Sequence, residues 1–191
     1  MQQVENFYKE LPEVAYQKVT LPESIVVDHI KTLAYTAEVK RTVYAVSYNE
    51  TAGYKALVNT NAAGFQGDNA RWAHRWDNFI TATTVNNENM TGNARRFLVF
   101  ASWQNSIDML AYYMHARGIY VGGNALDFAN INPVGPAKQA SVPNEKDKLL
   151  QVDLFTAYLR AWVLGDASAQ PRLQDIEDFT LLYNKAADLF V

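Results

Sequence analysis

The sequence contains no cysteine. That excludes disulfides, cysteine-ligated zinc, iron–sulfur clusters and thiol nucleophiles, and it leaves the redox compartment unread. Histidine is scarce as well. His29, His74 and His115 show no metal-ligand spacing and no His-Glu-x-x-His pattern, so no metal is expected. Charge of one sign is lacking too: 17 Lys+Arg stand against 20 Asp+Glu, a formal net charge of −3. With no basic tract, nucleic acid is not an expected partner. The longest apolar runs are a few residues, far short of the ~20 needed to cross a membrane. Met1–Leu11 is polar, carries Glu5 and Glu10, and does not read as a secretory signal. No Gly-x-Ser-x-Gly elbow occurs. Gly118-Ile119-Tyr120-Val121-Gly122-Gly123 lacks both a preceding strand and the Gly-Lys-Ser/Thr ending of a phosphate loop, so no nucleotide and no cofactor is expected.

What is present describes a globular chain. Its 191 residues are 49% hydrophobic and 19% charged, which predicts one domain with a full core. Aromatics reach 13%, with 11 Tyr and 4 Trp. Two readings fit: a thick core, or a carbohydrate groove in which flat rings stack on sugar faces.

Periodicity organises the chain. Residues 1–20 read as an extended or loosely packed arm. Thr20-Leu21-Pro22-Glu23 opens a helix with Pro near its first turn. Thr36 can cap a second helix that runs to Asn49 or Glu50. Val39, Val43 and Val46 form one stripe on it, and Glu50 is the next position on that stripe. Ala52-Gly53 end the helix. Residues 54–78 read as irregular. Phe79–Val85 and Arg95–Phe100 read as the two strands of a hairpin around polar turn residues. Ser102 opens a third helix whose inner face is Ile107, Leu110, Ala111 and Met114. Residues 119–143 read as loop with a short helix near Ala125–Asn130. Asn144 caps a long helix to Leu164, and Pro171 opens a last one. The expected class is mainly α, in the α+β sense: a helical domain with one small antiparallel hairpin.

Carboxylates are the remaining source of chemistry. A Glu donates a proton near neutral pH when an apolar setting raises its pKa. Glu50 ends a buried stripe just before a glycine turn, so a partly buried carboxyl in a cleft is expected there. The other reading is an ordinary exposed acid. An acid at a helix C-terminus meets an unfavourable dipole, so the position is poor for stability. Arg71-Trp72-Ala73-His74-Arg75-Trp76 could line a groove or pack a loop with its two Trp.

Tyr44-Ala45-Val46-Ser47-Tyr48-Asn49-Glu50-Thr51-Ala52-Gly53, followed by Gly64-Phe65-Gln66-Gly67, resembles the lysozyme-like superfamily. There a helix ends on the catalytic Glu and a Gly-hydrophobic-Gln or Gly-hydrophobic-Lys segment follows a polar loop. The Thr-rich strand Ile80–Val85, the strand ending Arg96-Phe97-Leu98-Val99-Phe100-Ala101-Ser102, and the helix start Trp103–Asp108 are similar to flagellar, autolysin-type and phage peptidoglycan β-N-acetylglucosaminidases. The resemblance covers about residues 36–125. It implies a single lysozyme-like domain over 21–191, with appended C-terminal helices at 144–190. It implies that Glu50 is the general acid, that the hairpin is the β lobe of a cleft, and that Gly64–Gly67 line its floor. Asn61, Phe65, Gln66, Trp76, Tyr113 and Tyr120 are the substrate contacts expected on this reading. Many family members carry a second acid on the hairpin strand, where this chain has Thr81-Ala82-Thr83-Thr84-Val85. The nearest acids are Asp77 and Glu88. Substrate assistance by an acetamido group, or a water held by polar side chains, is the alternative.

The function expected from the resemblance is a peptidoglycan glycoside hydrolase, phage-encoded or carried in a virion. Its partners would be glycan strands and other virion proteins, with no membrane partner. It would wait in a virion or host cytoplasm and act on the cell wall. A non-catalytic structural or wall-binding module of the same fold is the second reading. A helical interaction protein with Glu50 as a surface acid is the third.

Overall fold

The strand pair expected near 79–100 is the organising element. In the computed structural model, which describes residues 4–68, 71–87, 92–116, 124–126, 139–141, 178 and 181–191, β3 (Ile80–Asn87) pairs antiparallel with β4 (Ala94–Phe100). Ile80 faces Phe100 and Asn87 faces Ala94, with an irregularity between Ile80 and Ala82. Both outer edges are covered. Along β4, Leu98 N donates to Phe65 O (3.0 Å) and Gly67 N to Arg96 O (2.9 Å). Along β3, Val14 N donates to Thr83 O (2.8 Å) and Thr83 N to Pro12 O (2.9 Å). Arg96–Phe100 are buried without alternation, so both faces of β4 are covered as well as its edge.

The remaining elements follow the helical periods. α1 (Glu23–Thr32) and α2 (Ala37–Glu50) bury Val26, Val27, Ile30, Val39, Val43 and Val46. Thr42 and Ser47 are also buried on α2. Their hydroxyls donate back to Glu38 O (2.9 Å) and Val43 O (2.7 Å), so neither is orphaned. α3 (Trp103–Ala116) buries Ile107, Leu110, Ala111 and Met114, and Ser102 Oγ accepts from Asn105 N at its start (3.3 Å). Among the described residues no helix is long and apolar enough to cross a membrane.

The mainly helical class with one hairpin is overturned. This is a mixed α/β fold, with three two-stranded antiparallel sheets among the described residues. β1 (Lys18–Val19) pairs with β2 (Leu57–Val58), and β5 (Asn124–Leu126) pairs with β6 (Gln139–Ser141). Strands of two or three residues are too short to show a period of two, so the sequence shows only loop there. β5 also begins the stretch read as a short helix near Ala125–Asn130. The N-terminal segment is not a loose arm: Tyr8 is fully buried, and β1 and residues 12–14 are paired. The long helix expected from Asn144 and the start of the one expected at Pro171 lie outside the described residues.

The chain forms two compact units, Met1–Val26 with Glu50–Met109, and Val27–Asn49 with Leu110–Val191. The first holds β1 to β4. In the second, Arg41 donates from Nε (3.2 Å) and Nη2 (2.9 Å) to Phe190 O. The Phe190 ring lies 6.1 Å from that of Tyr44, and Lys185 Nζ sits 4.8 Å over Tyr48.

Candidate active site

α2 stops at Glu50 because the chain turns left-handed immediately after it. Ala52 (φ 49), Gly53 (φ 69) and Tyr54 (φ 62) follow in succession. Thr51, almost fully buried, holds the turn: its Oγ1 accepts from Tyr54 N (3.0 Å) and its carbonyl from Lys55 N and Ala56 N (both 3.0 Å). Asn59 (φ 54) is the other non-glycine with positive φ among the described residues. It is fixed by Gln17 N on its Oδ1 (2.9 Å) and by donation from Nδ2 to Ala15 O (3.1 Å). Each such residue costs about 1–2 kcal/mol. All three follow Glu50 within nine positions, so the backbone strain is concentrated just after α2.

Glu50 is exposed. The expected partial burial is corrected: the helix ends there, and no following turn covers its last residue. Its carboxylate instead lies against Gly64. A Cβ built at position 64 would come within 2.8 Å of Glu50 Oε2, and Gly64 has φ +68. The left-handed conformation favours glycine, and a side chain there would also have to displace the carboxylate.

Asn61 and Phe65 build this loop from inside. Asn61 is 1% exposed, and its amide donates to Phe65 O (2.8 Å) and Leu98 O (3.0 Å). Phe65 is 2% exposed, with its ring 5.0 Å from Trp72, edge-on, and 5.8 Å from Phe100. Asn61 thus makes its hydrogen bonds within the loop and to β4, and the Phe65 ring packs against Trp72 and Phe100. Gln66 is half-buried. Its Oε1 accepts from Arg95 Nη2, and its carbonyl accepts from Trp72 Nε1 (2.7 Å). Trp76 is half-buried in the 3₁₀ helix His74–Phe79, 5.8 Å from the exposed ring of Phe79. Tyr113 is half-buried, edge-on to Tyr112 at 5.2 Å, and belongs to the other unit. Glu88 and Tyr120 lie outside the described residues.

Asp77 sits in an ion cluster. His74 Nδ1 donates to its Oδ2 (2.8 Å) and Arg71 Nη2 lies 3.3 Å from the same oxygen. The His74 hydrogen bond above all, then that from Arg71, holds the Asp77 carboxyl below its ordinary value against the opposing effect of burial. Asp77 is therefore set up as an anion, unsuited to proton donation. Arg71 also pairs with Glu10 (2.5 Å) and lies 4.7 Å over the Tyr8 ring.

Sequence reasoning missed the clamp beneath the loop. Asp68, with its side chain 7% exposed, accepts from Arg95 Nε (2.9 Å) and Nη2 (3.3 Å) and from Arg96 N (3.1 Å). Arg96 in turn donates to Glu13 Oε2 (2.6 Å) and Thr83 Oγ1 (3.0 Å). An acid directly after a Gly-x-x-Gly segment was the available signal, but its partner stands 27 positions away. Comparison with protein-family models, curated proteins and solved structures finds no match to this chain.

Proposed function

We propose that the chain is a peptidoglycan glycoside hydrolase, phage-encoded or virion-associated, with Glu50 as the general acid. One observation carries the reading: a carboxylate at the open end of a buried helix rests on a left-handed glycine of the following loop. A proton donor needs a fixed position and an exposed face toward the leaving oxygen. Glu50 has both. A glycan seated over it would exclude water and favour the neutral carboxyl. Asp77, held ionised by His74 and Arg71, is a candidate for the second, anionic role, and Glu88 is the other.

Digestion of purified peptidoglycan, followed by mass spectrometry of the new reducing ends, tests this directly. Glu50→Gln is expected to lower the rate by about 10²–10⁴-fold. A comparable loss in Asp77→Asn or Glu88→Gln favours two carboxylates, and no loss in either favours substrate assistance. Undiminished cleavage by Glu50→Gln sinks the assignment.

A non-catalytic wall-binding module is the second reading. It is favoured by β3, whose Ile80–Asn87 sequence has no acid. Wild-type protein that binds peptidoglycan without cutting it would establish that reading instead.

A further inference from the structure

We infer that Asn61 is the positioning residue of the Glu50 site, setting the Gly64 turn against the carboxylate. The catalytic part of this inference rests on the glycosidase reading above. An asparagine side chain offers two N–H donors and one oxygen with two lone pairs. Asn61 uses all four. Nδ2 donates to Phe65 O (2.8 Å) and Leu98 O (3.0 Å), while Oδ1 accepts from Ala63 N (3.3 Å) and Phe65 N (3.1 Å).

Three of these bonds close residues 61–65 on themselves, with Gly64 inside the closed turn. The fourth ties the turn to β4. Ala62 N adds a second anchor by donating to Ser106 Oγ (2.9 Å). The turn is thereby held at one height, and the height matters. A single added carbon at position 64 would come within 2.8 Å of Glu50 Oε2, so the turn and the carboxylate lie side by side. No other side chain of this size makes the set. Aspartate loses both donors and faces two carbonyls. Serine is too short to span from Ala63 N to Leu98 O. Glutamine carries an extra methylene into a site that is 1% exposed.

Thr60 supplies the control. Its Oγ1 donates to Phe100 O (2.6 Å) and accepts from Phe100 N (2.8 Å). It ties the same loop to the same strand, but outside the closed turn. Loss of either residue costs stability, and only loss of Asn61 frees Gly64.

The first readout needs no activity. In isotope-labelled protein, the Gly64 amide shift is followed by NMR while the Glu50 carboxyl is titrated. In wild type and Thr60→Val the amide tracks the carboxyl. In Asn61→Ala that response is lost, and Asn61→Ser behaves the same way should the alanine variant not fold. The second readout is kinetic: Asn61→Ala lowers kcat on peptidoglycan by about 10²-fold with KM little changed, and Thr60→Val keeps kcat. A Gly64 amide that tracks Glu50 equally in wild type and the Asn61 variants overturns the inference. So does equal loss of the response in Thr60→Val. Failure of both Asn61 variants to fold, with Thr60→Val folded, assigns Asn61 to the fold alone and also overturns it. A wild-type protein that leaves peptidoglycan intact removes the glycosidase reading and leaves the NMR comparison to decide the placement.

Discussion

Glu50 and Gly64 share one small space. The carboxylate oxygen Oε2 occupies what a side chain at position 64 would need, and the backbone there is left-handed at φ +68. The last residue of α2 and the turn before β4's covering strand are therefore a single geometric unit. Position 64 favours glycine through its backbone, and any side chain there would also displace the Glu50 carboxylate.

Gly64→Ala should display both. The left-handed conformation costs an L-residue about 1–2 kcal/mol, and the new methyl must push the carboxylate aside. The expected outcome is a lower midpoint in denaturant unfolding together with a loss of kcat. An unchanged midpoint would show that the turn relaxes freely, contrary to the anchoring described for Asn61.

Asp68→Ala should be among the most damaging substitutions in the first unit. It removes a carboxylate that is 7% exposed and takes two hydrogen bonds from Arg95, itself only a quarter exposed. Breaking a buried pair from one side costs about 3 kcal/mol. Chemical denaturation measures this. The variant Asp68→Asn keeps one acceptor for Arg96 N and should lose less.

Long periods made much of this fold legible. The stripes Val39/Val43/Val46 and Ile107/Leu110/Ala111/Met114 are buried as their spacing predicts, and the β-rich runs around a polar turn do form the hairpin. Contacts between distant short segments were not legible. Pro12 and Val14 pair with Thr83 across about seventy positions, in a stretch with no alternation to read. Phe65 alone between Gly64 and Gln66 has no period that separates a groove ring from a covering one. Glu50 was legible as a position but not as an environment. Its stripe pointed inward, while the left-handed turn at Ala52–Tyr54 leaves the helix end open.

Asp77 predicts an acid-side effect. Its folded pKa lies below its ordinary 3.8, chiefly through the hydrogen bond from His74. The folded state therefore holds this proton less tightly than the unfolded state. The stabilisation is complete above 3.8 and is lost as pH falls through the folded value. Wild type should be more stable than Asp77→Asn at pH 6, and the difference should shrink progressively below pH ~4. Thermal unfolding at a series of pH values checks this. A gap that stays constant down to pH 2 would show that the ion cluster contributes nothing through charge.

Two adjacent threonines on β3 should respond in opposite directions. Thr83 and Thr84 are both fully buried. Thr83 Oγ1 accepts from Arg96 Nη1 (3.0 Å), whereas Thr84 Oγ1 has no hydrogen-bond partner among the described residues. A buried hydroxyl left unpaired loses its water without compensation, at about 1–3 kcal/mol. Valine keeps the branched shape and the preference for strand while removing that oxygen. Thr84→Val is thus expected to stabilise the fold by about 1 kcal/mol. Thr83→Val removes an acceptor from a nearly buried guanidinium and should destabilise by a similar or larger amount. Both values come from urea unfolding of the two single variants. Because strand propensity and burial are matched at the two positions, the difference in sign isolates the hydrogen bond. Destabilisation by Thr84→Val would mean that its hydroxyl has a partner beyond the described residues.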